Sequence, residues 1–457
     1  MGKLLFTSAL ALSLLLGLPA NSLAQPNPYN FQLIADTNGS FESLGPFVSI
    51  NTGGIVAFKA DLRTGGGGVF AGSGGPITTI ANTSSPPSEF GGISINAGGT
   101  VAFTGVLTTG NRGVFTGNGG PLTTIVLGSF LSFPSINNQG VVAFGTGNDI
   151  FVGSGGPPVT VATDGGAISG IGDPAINTQG TVVFAAGLSE GGQGIFTSNG
   201  GQLTLVVDTN GLFRAFQVFP VINSRGTVAF AATRNTGDDG IFTAANGLFA
   251  TIVDNRGLFR GFDALSINTG GGVAFQALLD AGSEGIFTGP DPVADKVMTI
   301  GDPLLGSTVT GLAFSREGLN DMGQLAFRAA LADGRQVIVR ADPMSKVTID
   351  IQPGEAPASL NPRSRGVIPV AILTTATFDA TTTDPLSVKF GPHGATEAHG
   401  RGHVEDADGD GDLDLVLHFR MQDTGIQCGD TSASLIGKTF SGQAIRGADS
   451  IVTVGCR

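Results

Sequence analysis

The amino-acid sequence predicts an all-β protein, a seven-bladed β-propeller followed by a small β-sandwich. One phrase occurs seven times: an apolar residue, Asn, two variable residues, Gly, and an alternating apolar run that ends in Phe. Successive copies are separated by 45, 41, 40, 46, 45 and 52 residues, which is the range of propeller blades. After residue 343 the repeat stops, and all four histidines and both cysteines lie beyond it. The composition therefore indicates a second domain.

The first 24 residues have the composition of a secretory signal peptide. Lys3 gives a positive start, residues 4–18 form an apolar run, and "SLA" at residues 22–24 is a small-residue cleavage site. A transmembrane helix is the alternative, but the run is short for one. We therefore predict cleavage near Ala24 and a secreted or cell-surface chain without a transmembrane segment.

Each repeated phrase predicts a β-hairpin. Asn is favoured at the first position of a type I turn, because its side chain accepts hydrogen bonds from nearby backbone amides. Gly at the fourth position can adopt the left-handed conformation that a following bulge requires. The repeated asparagines are Asn51, Asn96, Asn137, Asn177, Asn223, Asn268 and Asn320.

The strand signals add up to seven blades of four strands within residues 25–343. A strand precedes each Asn, a second ends the hairpin, and signals such as "GVFAG" and "ITTIA" follow. The seventh signal of the last type is "FQLIAD" at residues 31–36, which either completes the last blade beside "QVIVR" or reflects a different blade phasing. An open β-solenoid is the alternative fold, but it needs capped ends and more even repeats.

Phenylalanine recurs at two positions of the repeat, where packing between blades is the favoured interpretation and a ligand ladder the alternative. The first set comprises Phe58, Phe103, Phe144, Phe184, Phe230, Phe275 and Phe327. The second comprises Phe70, Phe115, Phe151, Phe196, Phe242 and Phe287.

The repeat resembles that of the exported bacterial tandem-repeat proteins described by an NxxGxxAF motif, which have variable C-terminal anchors. The resemblance covers roughly residues 31–342 and rests on all seven copies. It implies an exported protein. That family has no established activity or catalytic residues, so the resemblance implies none for this chain.

The composition favours a binding or structural protein over an enzyme. A net charge of −13 without a cluster of Lys or Arg argues against a nucleic-acid partner. Residues 25–343 contain no His or Cys, which excludes His- or Cys-dependent catalysis there. Asp36, Asp208 and Asp254 begin similar loops and either cap their own turns or supply an acid/base pair. The alternative function is therefore a carboxylate-dependent polysaccharide hydrolase or lyase.

Candidate contacts for an extracellular protein or polysaccharide come from the same loops. The chain has no Trp and a single Tyr, so the usual aromatic platforms for sugars are missing. Phe213 with Arg214, and Phe259 with Arg260, are predicted as exposed contact groups that take this role, beside Asp36, Asp208 and Asp254.

Residues 344–457 predict a β-sandwich with a calcium loop. In "DADGDGDLD", Asp406, Asp408 and Asp410 occupy positions 1, 3 and 5 of such a loop, Gly411 permits the turn, and Asp412 and Asp414 are further ligands. A strand follows, and Leu417 replaces the Glu of an EF-hand. Glu405 is a candidate peripheral ligand. The alternative is a solvated acidic turn. This domain also resembles a C-terminal module of many exported bacterial proteins, marked by "NPRSRGVIPVAIL", "GATEAHGRGHVEDADGDGDLDLVLHF" and "TGIQCGD".

The remaining signals of this domain are sulfur and imidazole groups. Cys428 and Cys456 predict one disulfide in an exported protein, with two free thiols as the alternative. His399 and His403 in "HGRGH" suggest a second metal, but the nearby glycines favour structural or surface histidines. The whole sequence thus predicts an exported, calcium-stabilised binding or structural protein.

Overall fold

The computed structural model of the protein describes residues 28–84, 87–128, 132–217 and 219–456. The chain divides between Pro343 and Met344 into two compact units. The predicted signal peptide lies outside the described residues. In the described part of the chain, no helix has the length and apolar character needed to cross a bilayer.

The first unit is a seven-bladed β-propeller, in which blades one to six are antiparallel sheets of consecutive strands. The N-terminal strand is β1 (Tyr29–Asp36). Blade one comprises β2 (Phe41–Ile50), β3 (Val56–Leu62), β4 (Gly67–Gly72) and β5 (Thr78–Asn82). Blade two comprises β6 (Glu89–Ile95), β7 (Val101–Val106), β8 (Arg112–Gly117) and β9 (Thr123–Gly128). Blade three comprises β10 (Ser135–Ile136), β11 (Val142–Thr146), β12 (Asp149–Gly153) and β13 (Val159–Ala162).

In blades four and five the first strand is split in two, and both pieces pair with the same second strand. Blade four comprises β14 (Ile168–Ser169), β15 (Ala175–Ile176), β16 (Val182–Leu188), β17 (Gln193–Ser198) and β18 (Thr204–Asp208). Blade five comprises β19 (Phe213–Phe216), β20 (Val221–Ile222), β21 (Val228–Arg234), β22 (Asp239–Ala245) and β23 (Leu248–Asp254). Blade six comprises β24 (Phe259–Ile267), β25 (Val273–Leu279), β26 (Glu284–Phe287) and β27 (Lys296–Thr299).

The ring closes by strand exchange between the two ends of the propeller. Blade seven contains β28 (Pro303–Leu304), β29 (Ser307–Ala313), β30 (Leu325–Leu331) and β31 (Gln336–Pro343). Its outermost strand is β1, which pairs antiparallel with β31 from Tyr29 opposite Pro343 to Asp36 opposite Val337. This is the first of the two closures that the sequence left open. It leaves β31 without a free edge.

The repeated phrase forms the predicted hairpin in all seven blades. The backbone N–H of Gly54 donates to the carbonyl of Asn51 at 3.0 Å, and the backbone N–H of Asn51 donates to the carbonyl of Ile55 at 3.0 Å. The glycine at the fourth position has φ between 73° and 89° in every copy. This is the left-handed region that a side chain with Cβ disfavours, so the turn itself requires Gly.

The asparagines also join neighbouring blades, which the sequence did not predict. Asn51 Oδ1 accepts from the backbone N–H groups of Gly53 and Ile55 at 3.0 and 2.9 Å. Its Nδ2 donates to the carbonyl of Asn96 at 3.1 Å, and Asn320 Nδ2 donates to the carbonyl of Asn51 at 2.8 Å. The corresponding bond is formed from Asn96, Asn177 and Asn223 to the next asparagine. These five side-chain amides thus join their own turn to the following blade.

The substitution Asn51→Ala should destabilise the propeller substantially. It leaves two turn amides without their acceptor, and each buried group left unpaired costs about 1–3 kcal/mol. It also removes the bond to the next blade at the Asn96 carbonyl, which keeps only its own turn's Gly99 N–H as a donor. Thermal unfolding should show a clearly lower Tm. Asn199→Ala, at an exposed position, is the matched control and should leave the Tm unchanged. Equal Tm values for both variants would contradict the bridging role.

The repeated phenylalanines pack between blades. All seven residues of the first set are 0% exposed. Their rings pair with the second set across adjacent strands, as in Phe58 with Phe70 at 5.9 Å between ring centroids. That pair shares a core with Ala326 and Ile338 of blade seven, across the closure of the ring. The rings therefore form the propeller core, and no phenylalanine of the first set is free to contact a ligand.

The C-terminal unit is a β-sandwich of two sheets. One sheet has the order β32-β41-β40-β36-β37 with β34 beside β41, and the other has the order β33-β35-β39-β38. The strands are β32 (Ser345–Lys346), β33 (Thr348–Ile351), β34 (Ala358–Leu360), β35 (Val367–Leu373), β36 (Lys389–Phe390), β37 (Ala395–Thr396), β38 (His403–Glu405), β39 (Asp414–Arg420), β40 (Ser432–Lys438) and β41 (Ala444–Thr453). Two 3-10 turns (Ala380–Thr382, Pro385–Ser387) and a short helix α1 (Met421–Thr424) connect them.

The predicted disulfide is present between Cys428 and Cys456, whose Cα atoms lie 5.7 Å apart. It links the loop before β40 to the segment that follows β41. No free cysteine remains, so the two-thiol alternative is wrong.

Candidate functional site

The first strand of each blade lines the central channel, and in six of the blades it is interrupted shortly before the repeated asparagine. In blades one, two and six the register shifts at bulges within β2, β6 and β24. In blades four and five the strand is split, and in blade seven β29 ends at Ala313. Bulges and breaks redirect the side chains that they carry. The residues redirected here stand four positions before each asparagine: Phe47, Gly92, Phe133, Asp173, Phe219, Ala264 and Arg316.

Six of these seven residues line one cavity of about 410 Å³, which we call the aromatic mouth. Phe47, Phe133 and Phe219 are 48%, 38% and 49% exposed, in contrast to the fully buried phenylalanines of the repeat. The Phe47 and Phe133 rings meet edge to face at 5.0 Å. Large exposed aromatic side chains that converge on a cavity are typical of a binding site.

Two of the four ionisable residues that line this cavity, Arg316 and Asp173, occupy the position four before an asparagine. Arg316 Nη2 donates to the carbonyls of Phe133 and Pro134 at 3.1 and 3.4 Å. Its Nη1 is buried and has no hydrogen-bond partner among the described residues. Burial raises the pKa of Asp173, although the Arg316 guanidinium and the Phe133 backbone amide act in the opposite direction. A buried donor without a partner is costly unless a ligand satisfies it.

A second cavity, of about 180 Å³, has a different chemistry. It is lined by four of the repeated asparagines, by polar residues next to them such as Thr52 and Ser224, and by aliphatic residues such as Ile50, and it shares Arg316 with the aromatic mouth. Serine hydroxyls inside the channel bridge blades, as Ser49 Oγ accepts from the Ile95 backbone N–H at 3.0 Å. These polar groups are engaged in holding the ring together. The aromatic mouth is therefore the better candidate for ligand binding.

The sequence contains a signal for the aromatic mouth, although none of the contact residues predicted from the sequence lies there. The positions one and two before each asparagine carry similar residues in most copies, such as Ile50 and Ser49. The fourth position before it carries Phe, Gly, Phe, Asp, Phe, Ala and Arg in turn. A variable position inside an otherwise regular repeat marks residues that the fold does not require.

The prediction that Phe213 and Phe259 are exposed contacts is wrong. Each is 1% exposed. Phe213 is the first residue of β19 and packs on Phe230 and Phe242 at ring distances of 5.4 and 4.8 Å. Because side chains alternate along a strand, the neighbouring Arg214 and Arg260 point outward and are exposed. The aromatic half of both predicted pairs therefore belongs to the blade cores.

Asp36, Asp208 and Asp254 end the outermost strands of blades seven, four and five, so they lie on three different blades. Each carboxylate accepts a hydrogen bond from the backbone N–H two residues further on. A hydrogen bond from Arg256 is the main reason that the pKa of Asp254 lies below its usual value. Each Asp thus caps its own turn.

The acidic loop of the C-terminal unit is the turn between β38 and β39. Oxygens of Asp406, Asp408 and Asp414 lie within 4.8 Å of one another. Asp414 is fully buried, and its two oxygens accept from the Thr374 and Ala407 backbone N–H groups at 2.8 and 2.9 Å. This grouping includes three of the five predicted ligands and leaves out Asp410 and Asp412.

Asp410 and Asp412 show how crowded this loop is. The Asp410 carboxylate accepts from the backbone N–H of Asp412 at 3.0 Å. Burial raises the pKa of Asp412, and the neighbouring carboxylates raise it further. Asp412 Oδ1 has no hydrogen-bond partner among the described residues. A cation of matching size would relieve this repulsion.

Comparisons with known proteins place the propeller in a wider context. A model described as a family of unknown function (DUF7453) matches residues 115–337, which lie within blades two to seven. A comparison with curated proteins gave no significant match.

Three solved structures are similar to this chain. YCF48 from Cyanidioschyzon merolae has 15% identity and a TM-score of 0.40, with 68% of this chain and 99% of that one covered. YCF48 bound to D1 peptide has 14% identity and a TM-score of 0.37, with 70% and 98% covered. A chain of the mitotic checkpoint complex has 14% identity and a TM-score of 0.40, with 73% and 98% covered. These values are too low to transfer a function.

Proposed function

We propose that the protein is a binding protein whose aromatic mouth holds a segment of a partner protein. The observation that carries this proposal is the convergence of Phe47, Phe133 and Phe219 on one cavity, each at least 38% exposed. Exposing three large rings at one place costs stability unless a partner covers them. An apolar side chain of the partner fits between the rings.

Arg316 supplies the polar half of the interaction. Its unpaired Nη1 can donate to a backbone carbonyl or a carboxylate of the bound segment. Asp173 and Asp263 line the same cavity and favour a partner with a basic group. An anchor of aromatic rings with a few directed polar groups is characteristic of protein recognition. A polysaccharide is the less favoured ligand, because a sugar needs many free hydroxyl and amide groups to bind it and this cavity is lined mainly by other side chains.

The proposal retains export and calcium from the sequence. The leader-like first 24 residues and the disulfide support an exported protein. The grouped oxygens of Asp406, Asp408 and Asp414 support a calcium ion in the loop before β39, and Asp410 and Asp412 are the further ligands proposed. The propeller then binds the partner, and calcium stabilises the C-terminal domain.

The binding proposal is tested with a phage-displayed library of random peptides, selected on the full chain. Selected peptides should be rich in apolar residues, and isothermal titration should give 1:1 binding. Phe219→Ala and Arg316→Ala should each weaken binding about 10–100-fold, the usual cost of removing a central anchor. Leu248→Ala removes a side chain that is 76% exposed on the outermost strand of blade five and is the matched control.

Three outcomes would overturn the proposal. The library yields no peptide that binds, the Phe219 and Arg316 variants bind as tightly as the Leu248 variant, or the chain retains a surface polysaccharide through the same residues. If the chain instead releases new reducing ends from that polysaccharide, and Asp208→Asn or Asp254→Asn abolishes the release, the alternative enzyme is correct.

A further inference from the structure

Three of the four histidines meet in the C-terminal unit although they come from separate segments. His399 precedes β38, His403 is its first residue, and His418 lies in β39. One ring nitrogen from each lies within 4.8 Å of the others. The ring centroids are 5.1 Å apart for His399 and His418, 5.6 Å for His403 and His418, and 6.4 Å for His399 and His403. The rings thus surround a common point.

The strand pairing explains this convergence. His403 pairs with Val416 across the antiparallel β38–β39 ladder. His418 is two residues beyond Val416, so it projects from the same face of the sheet as His403. The Ala398 backbone N–H donates to the His418 carbonyl at 2.7 Å, which brings His399 alongside. A helix is not needed to place the two histidines of "HGRGH" together.

A buried carboxylate braces two of the three histidines. The Glu397 side chain is 1% exposed. Its oxygens accept from the backbone N–H groups of His399, Arg401 and His418 at 2.6, 3.0 and 3.3 Å. Burial alone would raise the pKa of Glu397, but these hydrogen bonds hold it below its usual value. Glu397 Oε1 also lies 3.5 Å from His399 Nδ1, and a carboxylate that faces the ring nitrogen of a histidine in this way is a regular feature of metal sites.

One ring nitrogen of the cluster is left unsatisfied. His418 Nδ1 is buried and has no hydrogen-bond partner among the described residues. Its pKa is lowered by burial and by the nearby His399 and His403. A buried imidazole nitrogen without a partner, in a ring that lies against two other imidazoles, is a group that a metal ion would satisfy.

We propose that His399, His403 and His418 form a binding site for a divalent transition metal, with Zn²⁺ as the expected ion. Imidazole favours Zn²⁺, Cu²⁺ and Ni²⁺, whereas Ca²⁺ takes oxygen ligands. The acidic loop and the histidines therefore select different cations, although two of the histidines lie on the same β38–β39 hairpin as the loop. Three histidines leave one tetrahedral position for water or an added ligand, and the exposure of His399 and His403 opens this position to solvent. The site does not depend on the partner of the propeller.

The test is isothermal titration of the metal-stripped full chain with Zn²⁺, with calcium present at millimolar concentration to occupy oxygen sites. One Zn²⁺ should bind per chain. His418→Ala and His399→Ala should each weaken binding at least about 100-fold, since the loss of an outer partner alone typically costs 10–100-fold. His399 is 49% exposed, so its variant should fold even if the His418 variant does not. Bound Co²⁺ should show the visible absorption of a tetrahedral site.

Two controls separate this site from other sources of metal binding. His393→Ala removes the fourth histidine, which is exposed and outside the cluster, and should leave the affinity unchanged. The pair Asp408→Ala and Asp410→Ala should also leave it unchanged. The proposal is overturned if no 1:1 binding occurs, if His393→Ala weakens binding as much as His418→Ala, or if only the aspartate variant loses Zn²⁺.

Discussion

A chain that begins at Thr37 should fail to form a stable propeller. Removing β1 takes away Ile34 and Ala35, each 5% exposed, and the Phe31 ring that packs on Phe327 at 6.3 Å. It also leaves β31 with an open edge. Each large apolar side chain contributes about 1.5–3 kcal/mol when fully buried. The total loss approaches the 5–15 kcal/mol that stabilises an ordinary domain. Thermal unfolding and size-exclusion chromatography should show aggregation or a Tm lower by tens of degrees.

Two further samples make this result specific to the strand. A chain that begins at Asn27 keeps β1 and should unfold like the full chain. A synthetic peptide of residues 28–36, added to the shorter chain, should restore cooperative unfolding by strand addition. If the chain that begins at Thr37 melts within about 2 °C of the full chain, the exchanged strand does not close the ring.

Calcium should raise the melting temperature of the C-terminal domain, and a chelator should lower it. The acidic loop places five carboxylates within nine residues, and they repel one another without a cation. At a concentration 100 times the Kd, a ligand stabilises the folded state by about 2.7 kcal/mol. For a domain of this size that amounts to a shift of roughly 10 °C. Differential scanning calorimetry of the full chain measures it.

The variant Asp408→Ala with Asp410→Ala separates calcium binding from general charge effects. It should lose the calcium-dependent shift, and in chelator it should be at least as stable as the natural chain because repulsion has been removed. Asp423→Ala, an exposed acidic residue in α1, should keep the full shift. If the Tm of the natural chain is the same in calcium and in chelator, the loop is a solvated acidic turn that binds no calcium.

Much of the propeller is readable from the sequence because each blade repeats the same local chemistry. Asn51 and Gly54 specify one hairpin, and that hairpin recurs with every copy. The closure was not decided, because the pairing of Tyr29 with Pro343 joins residues more than 300 positions apart. The bonds from one asparagine to the next also join residues that are far apart in sequence. They were missed because the hydrogen bonds of each asparagine within its own turn already explain why the residue recurs.

The candidate site was harder to predict because it depends on bulges. A shift of one residue moves a side chain to the opposite face of a strand, and sequence patterns do not locate such shifts. Phe213 therefore resembled a surface residue but lies in the core, whereas Phe219, a few residues later, is 49% exposed at the aromatic mouth. The histidine cluster was missed because His418 is far from "HGRGH" in sequence and joins it only through the β38–β39 pairing.

The most direct test of peptide binding by the propeller is photo-crosslinking at the aromatic mouth. A photoreactive phenylalanine analogue replaces Phe47, Phe133 or Phe219, one at a time, and Leu248 in the control. After irradiation with a selected peptide, mass spectrometry should find peptide adducts at the three mouth positions and none at Leu248. Adducts at Leu248 alone, or bound peptide without an adduct at any mouth position, would show that the propeller binds its partner elsewhere.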